Sequence, residues 1–186
     1  MRQSRILFVA AQSFAKHGPA AVSLDEIAEQ VDVAKGTLYS HFPTKEALLI
    51  AIVEPALLAL DQSLDAITVE DAHGVVGLLL RQWATLLREH HDAMRVAHSL
   101  ETKLPRPLVV VHRRVVAKML RLLSQPAVVT KLRGSPQWAS MLIARLGLPL
   151  FDSYDSIDPT GEAFIEATSH LLLRSEATVK RRGAAR

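Results

Sequence analysis

Cysteine is absent from the 186 residues, which excludes disulfide frameworks, thiolate zinc sites and cysteine nucleophiles. Long unbroken apolar runs are missing as well. The run Ile6–Ala11 is six residues, far short of the about 20 needed to span a bilayer. It is also too short for a signal-peptide core and lacks a cleavage-like flank before Gln12. Strand-like alternation is scarce, and no internal repeat or low-complexity tract is visible. Acidic side chains vanish from one long stretch: residues 102–151 carry nine basic groups and no acidic one, whereas 54–101 carry eight acidic against three basic. The plain expectation is that these two blocks face each other within one fold; the alternative is an anionic ligand or partner. Hydrophobic residues at 49% and charged residues at 22% supply ample core. A soluble, cytoplasmic, globular protein with no membrane association is expected.

What is present is helical periodicity. Ile6, Ala10 and Phe14 form a stripe that closes at Lys16-His17-Gly18, with Gly18 placed for a left-handed helix end. Ser23-Leu24-Asp25-Glu26 reads as a capping box opening a second helix, whose inward face is Leu24, Ile27, Ala28 and Val31. After a break at Asp32-Val33 a short third helix runs from Lys35 to Phe42. Thr44 caps a fourth from Lys45 past Leu60, with Pro55 inside it. Further helices are expected at about Gly74–Glu89, His91–Lys103, Pro107–Leu123, Gln137–Leu148 and Pro159–Arg174, the last with Asp158 as N-cap and Pro159 as first helical residue. The chain ends in a basic, patternless tail. The fold class is all-α.

Two short helices joined by a two- or three-residue turn have the spacing of a helix-turn-helix, in which one helix enters the major groove while the other braces it. In the third helix Leu38 and Phe42 point toward the second. The opposite face is Gly36 and Ser40 with Thr37 adjacent and Tyr39 and His41 on the flanks, rich in donors and free of bulky aliphatics. Gly36 lowers helix propensity by about 1 kcal/mol relative to Ala, so close approach to another backbone or to DNA is a reason for it.

In order, Gly18…Val22-Ser23-Leu24-Asp25-Glu26-Ile27-Ala28…Val33-Ala34-Lys35-Gly36-Thr37-Leu38-Tyr39-Ser40-His41-Phe42-Pro43-Thr44-Lys45-Glu46-Ala47-Leu48 closely resembles the N-terminal DNA-binding domain of TetR-family (tetracycline-repressor-like) transcriptional regulators. The resemblance covers residues 5–50. It implies a three-helix DNA-binding domain at 1–46, a helical ligand-binding and dimerisation domain at 47–178 and a tail, disordered, at 179–186. It implies DNA contacts from Ser23, Lys35, Gly36, Thr37, Tyr39, Ser40, His41 and Lys45, with Thr37 at base edges or a phosphate and Tyr39, His41 and Lys45 at phosphates. Each has a structural alternative: Ser23 only a cap, His41 closing its helix, Tyr39 packing by its ring. Two departures stand out. Asp32 replaces the usual turn glycine, and Ala34 replaces a capping serine at a cost of about 1 kcal/mol. The head is also electrically neutral, with Asp25, Glu26 and Glu29 expected at or behind the second helix, leaving Arg2, Arg5, Lys35 and Lys45 for phosphates.

The same resemblance implies a homodimer on a palindromic DNA operator, paired through the last two long helices: Trp138, Met141, Leu142, Phe164, Ile165, Thr168, Leu171 and Leu172. It implies a small-molecule inducer, largely apolar or anionic, held by central helices. Trp83, Leu86, Met94, His98, Leu104, His112 and Met119 are the lining candidates, and Arg113, Arg114, Lys118 and Arg121 could neutralise an anion. All of these are equally readable as ordinary core or surface. No cofactor is expected, and a metal at His91, Met94 and His98 is disfavoured. The helix from Thr44 to about Leu60 would act as the lever between pocket and head. A competing reading is an interaction protein whose helix-turn-helix no longer reads DNA. An enzyme is disfavoured: Ser169-His170 beside Glu166 cannot converge as a triad, because neighbouring helical positions diverge by about 100°.

Overall fold

The computed structural model describes residues 2–68, 71–100 and 103–175; the basic tail at 179–186 lies outside the described residues. The described chain is helical: α1 (Arg2–His17), α2 (Leu24–Val31), α3 (Lys35–His41), α4 (Lys45–Asp65), α5 (Ala72–Glu89), α6 (His91–Leu100), α7 (Arg106–Leu123), α8 (Pro126–Val129), α9 (Pro136–Asp155) and α10 (Glu162–Leu172). Extended pairing among the described residues is limited to one antiparallel bridge between Leu132 and Leu173. The all-α expectation is met.

The chain divides into two compact units, one of Met1–Ala59 with His90–His112 and the other of Leu60–Glu89 with Arg113–Arg186. The three-helix head expected at 1–46 lies wholly in the first unit, which also takes in α6. There α1 packs along α6 and α2, and α2 packs on α3. Ile6, Phe14, Ile27 and Leu38 are fully buried, each contributing roughly 1.5–3 kcal/mol by leaving water. The Ser13 hydroxyl ties α1 to α2 by donating to Gln30 Oε1 at 2.6 Å. Gly18 at φ +80 closes α1 as expected, its amide returning to the Phe14 carbonyl at 2.9 Å.

In the second unit α10 packs on α5 and α9, and α5 on α8. Three local readings are corrected here. First, α9 does not stop at Leu148 but continues through Pro149 to Asp155. An interior proline costs about 3 kcal/mol. The extra turns offset that by burying Phe151, whose ring meets Phe164 edge-on at 5.7 Å and lies under the Arg88 guanidinium. Second, α10 starts at Glu162, not Pro159, because Gly161 adopts a left-handed conformation (φ 82) at its N-cap. Asp158 serves the helix from further back, accepting from Thr160 N at 2.9 Å and Ala163 N at 2.7 Å. Third, the one-turn α8 was not anticipated.

Run length alone did not single out the most apolar helix. α4 is 21 residues long and holds an 18-residue window of mean hydropathy 1.7, long and apolar enough by length and composition to cross a bilayer. Glu54 and Asp61 interrupt its runs, yet the mean over the window stays at 1.7. Leu48, Val53, Leu57, Leu60 and Leu64 along it are buried in the fold.

The charge blocks meet within the second unit. Asp61 on α4 lies 2.9 Å from Lys118 Nζ and 3.4 Å from Arg114; Asp65 lies 2.7 Å from Lys118 and 3.8 Å from Arg121. These three cations therefore have protein carboxylates as partners, which removes the observation that made them candidates for an anionic ligand.

Candidate nucleic-acid interface

The N-terminal three-helix head is built from local rules. Ser23, extended at φ −93, accepts the Glu26 amide on its hydroxyl at 3.1 Å, and Glu26 Oε2 accepts the Ser23 amide at 2.6 Å. The capping box is complete. The bond from the Ser23 backbone, then that from its side chain, holds the Glu26 carboxyl below the usual carboxylate range. At the other end Asp32 takes φ 57, ψ 54 and returns its amide to Glu29, while the Val33 amide reaches Ala28. An aspartate in this region costs about 1 kcal/mol more than glycine, and the sharp turn it makes sets the angle between α2 and α3. Ala34 caps α3 without any side-chain bond. Leu38 and Phe42 fasten α3 inward, both buried.

That packing leaves Lys35, Gly36, Tyr39, Ser40 and His41 exposed, with Thr37 half-buried at the edge. Tyr39 is 43% exposed, so part of its ring stands in solvent. Among the described residues a Cβ on Gly36 would meet no atom within 4 Å, so no neighbouring backbone there requires this glycine. Ser40 donates to the Thr37 carbonyl at 2.8 Å, leaving its lone pairs outward. Thr37 and Arg5 line a cleft of about 360 Å³ with Val31, Asp32, Val33 and Ala34.

The cations are less free than the sequence implied. Lys45 Nζ donates to the Pro19 carbonyl at 2.8 Å, tying the start of α4 to the loop after α1. Asp25, expected at or behind α2, reaches forward instead. Its Oδ2 accepts from Lys35 Nζ at 2.6 Å and its Oδ1 from the Tyr39 hydroxyl at 3.2 Å. The bond from Lys35 holds the Asp25 carboxyl below its ordinary value, and the bonds to Asp25 raise both Lys35 and Tyr39. Sequence reasoning missed this, since Asp25 in a first helical turn is already explained by the helix dipole.

The remaining candidates separate by burial. Trp83, Leu86 and Met119 are buried in the second unit; in the first, Met94 is buried, Leu104 and His112 half-buried and His98 exposed. Burial lowers the His112 pKa. None of the seven lines the Thr37 cleft, the cleft of about 380 Å³ at Gln12, Lys16, Asp92 and Arg95, or that of about 330 Å³ at His73, Arg133, Glu166 and His170. Of the pairing candidates, Phe164, Ile165, Thr168 and Leu172 are buried in the chain's own core, whereas Met141 and Leu171 are exposed and Trp138 and Leu142 half-exposed. Leu146, exposed one helical turn on from Leu142 and on the same side of α9 as that residue, was overlooked. Among the described residues no three His, Asp or Glu side chains cluster to hold a metal.

Against known proteins, the sequence model of bacterial regulatory proteins, tetR family, matches residues 6–52. The HTH-type transcriptional regulator YerO of Bacillus subtilis is 42% identical over 53 residues, 28% of this chain and 18% of that protein. The HTH-type transcriptional regulator EthR of Mycolicibacterium smegmatis is 30% identical over 64 residues, 34% of this chain and 30% of that protein. The matches thus span less than a third of either curated relative. Over nearly the full length the fold is that of a bacterial regulatory protein in the tetR family from Rhodococcus RHA1 (TM-score 0.76, 20% identity, 95% and 99% of the two chains). It is likewise that of the ketosteroid transcriptional regulator KstR2 of Mycobacterium tuberculosis (TM-score 0.77, 16% identity, 94% and 96%).

Proposed function

Through its residues 6–52 the chain belongs to the tetR family of bacterial regulatory proteins, and on that premise we propose that it is a DNA-binding transcriptional repressor acting as a homodimer on a palindromic operator and released by a small molecule. The observation that carries this reading is the outward face of α3. Leu38 and Phe42 lock the helix inward while Gly36, Tyr39, Ser40 and His41 stand in solvent beside Thr37 and Arg5. An exposed α-helical face of that size fits a major groove. In this reading Thr37 reads base edges, Gly36 admits the backbone closely, and Arg5, Lys35, Tyr39, His41, Lys45 and Ser23 meet phosphates.

One such head buries too little for specific recognition, so two copies are required. Met141, Leu142 and Leu146 of α9 with Leu171 of α10 supply the exposed apolar surface for pairing. Residues 1–46 form the reading head and 47–178 the ligand-binding and dimerisation part. α4 carries the chain from the first unit into the second, so it is the lever by which a ligand changes the head's spacing. Moving such an equilibrium from 1:99 to 99:1 takes about 5.5 kcal/mol of differential binding. The work of the protein is binding, not turnover, and its place is with DNA in the cytoplasm.

A mobility-shift titration with the DNA flanking its own gene tests the reading. Retardation lost in Thr37→Ala and Tyr39→Ala, with a log–log salt slope corresponding to several phosphates, is the expected result. No retardation at low salt sinks it. Sedimentation of Met141→Glu/Leu171→Glu tests the pairing: a wild-type dimer at micromolar concentration becomes a monomer.

A further inference from the structure

Lys35 and Tyr39 stand one helical turn apart on α3, so they share a face. Both are engaged by the same carboxylate, Asp25 of α2, at 2.6 and 3.2 Å, and all three lie at the surface. A phenol has a single proton. While Tyr39 donates it to Asp25, the hydroxyl offers an approaching phosphate only lone pairs, and phosphate has no proton to give in return. Lys35 retains two further N–H groups, but its charge already faces an anion. The carboxylate occupies the positions that phosphate oxygens would take on these two side chains.

We propose that Asp25 is an internal stand-in for a DNA phosphate. It holds Lys35 and Tyr39 in the free protein and must be displaced before either can grip the DNA backbone. Its function is to hold down affinity for DNA of any sequence, which is almost entirely electrostatic. Once displaced, Asp25 still faces the phosphates with its negative charge. The neutrality of residues 1–48, five basic and five acidic, is on this account partly built into the contact surface itself. The inference rests on the DNA-binding reading above.

The plainer account is that Asp25 favours the α2 dipole and links two helices through a surface ion pair, an arrangement of small energetic value. The two accounts differ in sign. If Asp25 only braces the head, removing its charge loosens the head and weakens DNA binding. If it competes with phosphate, removing it strengthens binding.

The experiment is fluorescence anisotropy of the full chain with a labelled mixed-sequence 30-base-pair duplex across a range of KCl concentrations. Asp25→Asn should bind about 3–10-fold more tightly at low salt, with a log–log slope steeper by about 1 per subunit, the change of one added phosphate contact. Asp25→Ser repeats the test with a different short side chain at the helix start, and thermal melts of both establish that they are folded. Tyr39→Phe should cost more affinity in the Asp25→Ser background than in the wild type, because there no carboxylate competes with phosphate for its hydroxyl. Folded variants that bind no better than the wild type overturn the inference while leaving the DNA-binding reading intact. Failure of wild type and both variants to bind any duplex at low salt overturns the DNA-binding reading and this inference together.

Discussion

The Trp83 indole nitrogen fills the space a side chain at Gly147 would need: a Cβ added there would lie 2.5 Å from Nε1. Trp83 is therefore a wedge between α5 and α9, and its buried N–H finds no acceptor among the described residues. Gly147→Ala should destabilise the protein by roughly 1–3 kcal/mol, the usual penalty of overpacking. Urea unfolding with tryptophan fluorescence measures it; an unchanged midpoint means that the α5–α9 contact is looser than described.

Asp61 is 8% exposed and holds Lys118 and Arg114. Removing it takes from Arg114 the carboxylate it faces and leaves Lys118 with Asp65 alone, at the edge of the core. Asp61→Ala should cost roughly 1–3 kcal/mol. Asp65, more than half exposed, should cost under about 1 kcal/mol when removed. Equal losses in parallel thermal melts would show that burial does not set the value of this ladder.

Gly36 has open space around it. Gly36→Ala should leave the fold intact and raise stability by up to about 1 kcal/mol, since alanine is the better helix former. If α3 enters a groove, the added methyl should weaken DNA binding several-fold. A variant that is more stable and binds DNA as well as the wild type would remove Gly36 from the contact surface.

Acid should loosen the second unit through Asp158. Bonds from the Thr160 hydroxyl, then the Ala163 and Thr160 amides, hold its carboxyl below the ordinary value. A carboxylate with a depressed folded pKa contributes stability that is fully present above its unfolded pKa. That contribution is lost as pH falls through the folded pKa. Between pH 6 and pH 3 the urea midpoint should therefore fall, and Asp158→Asn should flatten part of that fall. An identical pH profile for variant and wild type contradicts the assignment.

Much of the head was legible in advance because its signals act within a turn or two. Ser23 and Glu26 are three residues apart, Gly18 closes the helix it follows, and Thr44 accepts the Ala47 amide at 3.0 Å as a cap should. Asp32, standing where a turn glycine is usual, makes its left-handed turn through bonds equally local, its amide returning to Glu29. At the candidate interface, the residue types were readable from the order of α3, but their bonding was not. Nothing near Tyr39 in sequence indicates that its proton goes to Asp25, 14 residues earlier. The same holds for Lys45, whose partner is the Pro19 carbonyl, 26 residues away.

The sequence by itself determined the helical class, most helix starts and the outward face of α3, because backbone caps and apolar periodicity are settled among neighbours within four residues. Only the tertiary structure decided that α9 passes Pro149, that α10 waits for Gly161 and that Asp61 meets Lys118. There, burial and pairing between residues far apart in the chain outweigh local preferences of only a few kcal/mol.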